Sequence, residues 1–271
     1  MKSDQSTNFV TVMNPLQRAM IEKAGHDNGF ENVLPSSGMG VELGSARHPA
    51  KVSVTASEDG FWSAIQSGSA TLAQELSRSF PVSGVPAQGF ALATEAALAR
   101  WLRRAAVLSQ ALPNQAVVAF EAQLQQALAA MPAAAAQTTE VQRMVRQRVG
   151  QQAYRQAMLD YWGGACAVTG LALPQALRAS HAKPWVECAS DAERLDVFNG
   201  FLLSANLDVL FDSFLVSLSE AGHLLVSKSI PQGDQQKLCI TEGMSLRWIS
   251  AQHGPYLDFH RQRFCNIDMA P

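Results

Sequence analysis

The sequence predicts an α+β protein with two domains, and three observations lead to that prediction. The chain has 271 residues, about twice the commonest domain size of roughly 100–150 residues. Hydrophobic residues make up 47% of it and charged residues 16%, which suits a well-buried core and excludes a highly charged disordered chain. Short strand-like stretches are followed by alanine-rich helical stretches and then by a strand, strand, helix pattern. We expect one domain over residues 1–135 and a second over 136–271.

The first domain is predicted to mix a helix with a meander of short strands. Residues 15–24 carry apolar side chains at helical spacing. Short apolar or alternating stretches follow, and turn-forming residues such as Asp59-Gly60 separate them, as in hairpins. These predicted strands are residues 30–34, 40–43, 52–55 and 61–65.

Alanine-rich helices are predicted over residues 92–112 and 114–131, divided by Pro113. Helices of this composition more often space or dimerise domains than carry chemistry. We therefore expect the region up to residue 135 to target or dimerise the protein, with a homodimer as one outcome. Residues 132–139 are predicted to be a helix end or a short linker.

A further helix over residues 139–162 is rich in arginine and has no acidic residue between positions 143 and 155. One interpretation is a solvated helix face. The other is a stripe that contacts DNA phosphates and supplies locally the positive charge that the chain as a whole, at a formal charge of -2, does not have. The four arginines are Arg143, Arg146, Arg148 and Arg155.

Residues 163–214 are predicted to form two strands, a connecting loop and a helix. A first short strand is expected at 165–168, an extended piece at 176–181, and a strand at 201–203 after the Asn199-Gly200 turn. Pro184 disfavours helix at Lys183, which leaves His181 at a strand end. Ser204 can cap a helix with apolar residues at 207, 210, 211 and 214.

Four blocks in this stretch resemble the HNH endonuclease family: A-V-T-G at 167–170, A-S-H-A-K-P-W at 179–185, D-V-F-N-G-F-L-L at 196–203 and N-L-D-V-L-F-D at 206–212. The resemblance extends over about residues 142–264. It implies a ββα-metal fold, in which a hairpin packs on a helix with one divalent cation between them, and it implies hydrolysis of DNA phosphodiester bonds.

The resemblance also implies the roles of three catalytic residues. His181 is expected to be the general base, a task that suits a side chain with an ordinary pKa of about 6.5. Asn199 is expected to tie the loop to the hairpin with its amide. Asn206 falls at the position that ligates the metal from the helix, and an amide oxygen suits Mg²⁺ or Mn²⁺ better than Zn²⁺.

The remaining metal ligands are left open by the sequence. Ser180 stands where many members of the family have an acidic ligand. Asp208 and Asp212 are nearby acids on the predicted helix, about 200° and 240° around the axis from Asn206. Each is a direct ligand, a support for the ligands, a capping group or a hydrogen-bond partner of Arg178 or Lys183. The four cysteines include no C-x-x-C pair, which argues against a zinc ribbon.

Lys183 and Arg178 flank the expected base and are candidates for contact with the scissile phosphate. Together these features predict a restriction or phage-defence nuclease that is targeted by its N-terminal domain. Two alternatives are a catalytically weak DNA-binding protein and a sensor whose nuclease is switched on by a ligand. No apolar run approaches the ~20 residues of a membrane span, so we expect a cytoplasmic protein.

Overall fold

The computed structural model describes residues 13–36, 40–80, 89–113, 115–132 and 138–268. The chain is a mixed α+β protein that divides into two compact units, Met1–Ser109 and Gln110–Pro271. No helix in these described ranges is long and apolar enough to cross a membrane.

The first unit is built on a five-stranded antiparallel meander in which each strand pairs with the next along the chain. Helix α1 (Pro15–Asp27) precedes the sheet, and its first turn is closed by a capping box between Asn14 and Gln17. The sheet consists of β1 (Asn32–Leu34), β2 (Val41–Gly44), β3 (Lys51–Ser57), β4 (Gly60–Ser67) and β5 (Phe90–Leu92), with α2 at Leu72–Ser77. The predicted hairpin at Asp59-Gly60 joins β3 to β4.

The helix predicted from residue 92 begins later than expected. Phe90–Leu92 pairs with β4 as the edge strand β5, and α3 runs over Glu95–Ala111. The hydroxyl of Thr94 accepts a hydrogen bond from the Ala97 amide at 3.1 Å, which caps the helix there. The prediction was wrong at this end because the strand pairing is a contact between distant residues.

The second unit starts with two packed helices, α4 (Gln115–Ala129) and α5 (Thr139–Trp162). The Arg146 guanidinium of α5 lies 5.4 Å from the centre of the Phe120 ring of α4. The compact units thus divide before α4, whereas the sequence predicted a division after it, at residue 135. The predicted linker at 132–139 falls largely outside the described residues.

A β-hairpin and the helix that follows it form the centre of the second unit. Strands β6 (Leu177–His181) and β7 (Gly200–Ser204) pair antiparallel, from Leu177 opposite Ser204 to His181 opposite Gly200. The connecting loop contains the single turn α6 (Asp191–Arg194), and α7 (Ala205–Asp212) follows β7 directly. The strand predicted at 165–168 is instead a turn, in which the Gly170 amide bonds the Cys166 carbonyl.

The rest of the second unit packs against this centre. It contains the hairpin β8 (Val216–Leu218) and β9 (Leu224–Val226), the short helix α8 (Gln232–Lys237) and the C-terminal helix α9 (Gly254–Asp268). His260 of α9 is fully buried and stacks on Phe211 of α7.

Candidate active site

His181 is the last residue of β6 and lies among aromatic side chains. Its ring stacks on Tyr154 of α5 with the ring centres 3.8 Å apart and the planes 19° from parallel. Trp185 meets it edge-on at 5.8 Å. Burial lowers the pKa of His181 to about 4, with the bonded Arg194 carbonyl opposing that shift, so the imidazole is neutral near pH 7.

The hydrogen bonds of His181 decide which of its nitrogens is a base. Nε2 lies 2.8 Å from the backbone carbonyl oxygen of Arg194. Because a carbonyl can only accept, Nε2 carries the proton, and the neutral ring has its lone pair on Nδ1. Within the described residues no group bonds to Nδ1. This nitrogen is therefore able to take a proton from a substrate or a water.

His181 lines a cavity of about 500 Å³. The walls combine aromatic rings with charged groups from α5, β6 and α7. The residues that line it are Gln151, Tyr154, Arg155, Arg178, Ala179, His181, Pro184, Trp185, Phe211, Asp212 and Phe214. A neutral imidazole, two guanidinium groups and a carboxylate thus face one space, which is the composition expected where a phosphate is bound and attacked.

Asn199 is fully buried and holds the loop to the hairpin. Its Oδ1 accepts the Lys183 amide at 2.8 Å, and its Nδ2 donates to the carbonyl oxygens of Lys183 at 3.2 Å and Glu193 at 3.0 Å. These bonds fix both ends of the loop that carries the Arg194 carbonyl. Asn199 therefore supports the orientation of His181 without lining the cavity.

Ser180 and two aspartates of α7 form an oxygen-rich group beside the hairpin. Ser180 Oγ donates to Asp208 Oδ1 at 2.5 Å. Asp212 lies one turn further along α7 and faces the cavity. Partial burial raises the pKa of the Asp212 carboxyl, and the nearby Asp208 charge raises it further. The repulsion between these carboxylates is the kind that a bound cation relieves.

Asn206 faces another part of the molecule. Its Nδ2 donates to the backbone carbonyl of Leu238, just after α8, at 2.7 Å, and it does not line the His181 cavity. The helix geometry predicts that Asn206 and Asp208 lie on different faces of α7, and their side chains do bond different parts of the unit. It is Asp208 that meets the hairpin.

Whether a metal ion fits this site depends on the oxygen donors Ser180, Asp208 and Asp212. Among the residues that the structure describes, no cluster of three or more His, Cys, Asp or Glu side chains could hold a metal. One hydroxyl and two carboxylates are hard oxygen donors, which suit Mg²⁺ or Mn²⁺. These three donors are too few to fill the shell of such a cation, so waters or phosphate oxygens would have to supply the remaining ligands.

The candidate DNA-binding cations do not form one stripe. Arg155 and Arg178 line the cavity, and their guanidinium groups donate to backbone carbonyls, including that of Leu177. Neither forms an ion pair with an acid in the part of the chain that the structure describes. By contrast, Arg146 is paired with Asp191, and the Lys183 ammonium lies 2.6 Å from Glu193.

Arg143 and Arg148, the other two arginines of the predicted stripe, are exposed and have no ion pair among the described residues. Arg148 lies seven positions before Arg155, within about 20° of it around α5, so both share a face. Arg143 lies about 120° away from Arg155. The face that leads to the cavity is therefore Arg148, Gln151 and Arg155, a subset of the predicted stripe.

Sequence reasoning missed two residues of the site, Tyr154 and Arg194, and it named Asp212 only as one of two nearby acids. Tyr154 was assigned to the apolar stripe of its helix, because a buried tyrosine fits that pattern. Arg194 holds His181 through its backbone carbonyl, which no side-chain pattern reports. Asp212 stood in a resembling block, but its approach to His181 depends on how α7 packs on the hairpin.

One comparison with known proteins finds a match to the segment that contains the hairpin and α7. Residues 166–219 match the family model described as HNH endonuclease, a span that includes Ser180, His181, Asn199 and Asp208 and excludes α5. No curated protein matches the chain. The C-terminal part of this chain therefore carries a domain of the HNH endonuclease family, whose activity is the cleavage of nucleic acid.

Proposed function

We propose that the protein is a divalent-cation-dependent DNA endonuclease with His181 as its general base. The observation that supports this most directly is that Nδ1 of His181 has no partner among the described residues, while its neutral ring lies on the wall of a cavity that two arginines also line. Family membership supports nuclease activity, and the arginines favour a substrate with phosphate groups.

Hydrolysis of a phosphodiester requires a deprotonated water and charge stabilisation on the phosphate. In the proposed reaction, His181 Nδ1 takes the proton of the attacking water. Arg155 and Arg178 bind the non-bridging phosphate oxygens. A phosphate beside His181 raises the pKa of the imidazole towards neutrality, which makes it a stronger base once the substrate is bound.

The proposed cation site is centred on Asp212, which lines the His181 cavity, with Asp208 and its partner Ser180 next to it outside the lining. If a divalent cation is held there, it would supply positive charge that offsets the charge on the leaving 3′ oxygen. Asn206 is assigned a structural role, because it does not line the His181 cavity and its amide nitrogen bonds the Leu238 carbonyl beyond α7. Mg²⁺ and Mn²⁺ are the cations that this oxygen set favours.

The N-terminal region is proposed to supply targeting or dimerisation, and the biological role to be restriction or phage defence in the cytoplasm. The support is architectural: a nuclease domain follows a separate compact unit. Nuclease domains of limited sequence preference need such a partner to select their substrate.

A specific observation favours a second candidate, a DNA-binding protein with weak catalysis. Ser180 is neutral, and the described residues contain no cluster of three conventional metal-binding side chains. Such a protein would bind plasmid DNA and leave it intact. A ligand-activated nuclease would cleave only after the ligand is added.

The test uses supercoiled plasmid with Mg²⁺, Mn²⁺ or EDTA. The wild type is expected to nick the plasmid with either cation and not with EDTA. Asp208→Asn should reduce nicking at least about 10-fold, the loss typical of weakened metal support, and Asn206→Ala is the matched control from the same helix that should retain it. Binding without nicking under every condition would favour the weak-catalysis candidate, and loss of nicking in Asn206→Ala alone would restore the original ligand assignment.

A further inference from the structure

Tyr154 lies outside the span that matches the HNH endonuclease family, yet it makes the closest ring contact of His181. It is in the middle of α5 and is about 1% exposed. A buried tyrosine that served only as core would need one partner for its hydroxyl. Tyr154 instead contacts both strands of the hairpin at the level of His181.

The hydroxyl of Tyr154 joins the two strand ends. It donates to the Asn199 carbonyl at 3.0 Å and lies 3.4 Å from the Ser180 carbonyl. Ser180 precedes the base on β6, and Asn199 precedes Gly200, the residue opposite the base on β7. One side chain thus holds the backbone on either side of the position where His181 leaves the sheet.

Gly200 shows how closely β6, β7 and Tyr154 pack together. Its φ is +154°, and a Cβ there would lie 1.9 Å from the Ser180 oxygen and 2.5 Å from the Tyr154 hydroxyl. Only glycine at position 200 leaves room for the Tyr154 hydroxyl between the two strands. The approach of Tyr154 to the hairpin is therefore part of the backbone geometry at the site.

Three contacts then fix the orientation of the His181 ring. The Tyr154 ring covers one face, the Arg194 carbonyl holds Nε2, and Trp185 meets an edge. The carbonyl sets the tautomer, but a single hydrogen bond allows the imidazole to rotate about it. The stacked ring sets the plane, and so the direction in which the Nδ1 lone pair points.

We propose that Tyr154 is the positioning residue of His181, with the ring setting the plane of the imidazole and the hydroxyl setting the strand ends that carry it. This inference rests on the proposed function, because it assigns Tyr154 a role in presenting the base. It predicts that loss of the ring costs more than loss of the hydroxyl, since only the ring touches the imidazole.

The test compares Tyr154→Phe and Tyr154→Leu with Tyr161→Phe. Tyr161 is a fully buried tyrosine two turns further along α5 whose ring packs on Phe198 and Trp162 rather than on His181. Tyr154→Phe keeps the stacked ring and should lower kcat about 10-fold, the value of one hydrogen bond. Tyr154→Leu should lower kcat about 100-fold, the cost of a misplaced catalytic group. KM should stay within about twofold in both, because neither change removes a substrate contact.

A second readout does not depend on cleavage. The ¹⁵N spectrum of the His181 imidazole, recorded in EDTA, should show the Nε2–H tautomer in the wild type, in Tyr161→Phe and in Tyr154→Phe. Tyr154→Leu should show a mixture of tautomers, because an imidazole that is free to turn no longer keeps Nε2 on the Arg194 carbonyl. Thermal melting followed by circular dichroism gives the folded fraction, to which each kcat is normalised.

The outcomes separate this inference from the proposed function. Normalised kcat values within about twofold of Tyr161→Phe in both Tyr154 variants would overturn the positioning role. So would equal losses in Phe and Leu, since the ring would then contribute nothing. If the wild type cleaves no DNA, the proposed function fails, and the tautomer spectra alone decide whether Tyr154 orders His181.

Discussion

Two regions of the C-terminal unit place a histidine in nearly the same surroundings, His181 at the end of β6 and His260 in α9. Each imidazole stacks on an aromatic ring with centres 3.8 Å apart, Tyr154 in one case and Phe211 in the other. Each donates from Nε2 to a backbone carbonyl, at 2.8 and 3.0 Å. Burial lowers the pKa of each to about 4.

The two regions differ at the second ring nitrogen. His260 is fully buried, and its Nδ1 lies 2.9 Å from the Ser217 hydroxyl, so both of its nitrogens have partners. The Nδ1 of His181 has no partner among the described residues, and the ring lines a cavity with two arginines. A lowered pKa therefore accompanies both a core histidine and a candidate base. The open nitrogen is what distinguishes them.

The largest expected effect comes from exchanging each histidine for glutamine. His181→Gln should lower the rate of plasmid nicking about 10²–10⁴-fold, the range for loss of a general base, with little change in melting temperature. His260→Gln should lower stability and leave the rate per folded molecule nearly unchanged. Nicking by His181→Gln at the wild-type rate would remove the distinction between the two regions.

Gly200→Ala tests the backbone that brings His181 to its cavity. The new Cβ would lie 1.9 Å from the Ser180 oxygen, so the free energy of unfolding should fall by about 3 kcal/mol or more, measured by urea denaturation. Gly170→Ala is the control: its φ is +72° and nothing lies within 4 Å of a Cβ there, so it should cost only about 1–2 kcal/mol. Equal costs would mean that the hairpin ends can move apart without penalty.

The pH dependence of stability should depend on His260. The pKa of His260 is about 4 in the folded protein, below the ordinary value of 6.5, so the unfolded chain binds the proton more tightly. The stabilisation is complete above pH 6.5 and is lost as the pH falls towards 4. At pH 5, His260 should lower the free energy of unfolding by about 2 kcal/mol relative to pH 7.5.

Urea denaturation of the wild type in EDTA should show this loss, and His260→Gln should reduce it. An unchanged pH profile in the variant would contradict the buried, neutral state of His260.

The smallest effect concerns the approach of DNA to His181 along α5. Arg148 shares the face of Arg155, so Arg148→Ala should reduce the slope of log affinity against log salt by about 0.9. Arg143→Ala, on another face of the same helix, should leave the slope unchanged. The measurement is fluorescence anisotropy of a labelled duplex over a series of salt concentrations. Equal changes in both variants would restore the single arginine stripe that the sequence predicts.

Much of the site follows from local pattern. The Asn199-Gly200 turn, the strand end at His181 and the apolar spacing of α7 are features of neighbouring residues, and the structure has a hairpin and a helix there. The errors at 165–168 and at the start of α3 have one cause. Whether a short segment pairs as a strand depends on a partner distant in the chain.

The sequence by itself determined a mixed α+β chain, a C-terminal hairpin and helix with the family's blocks in order, and His181 at a strand end. Only the tertiary structure decided that Asp208 rather than Asn206 meets Ser180, that Arg146 and Lys183 are paired with acids, and that Tyr154 covers the base. Local propensity sets which residues share a strand or a helix face. The packing of α5 and α7 on the hairpin sets what each face meets, because those contacts join residues far apart in the chain.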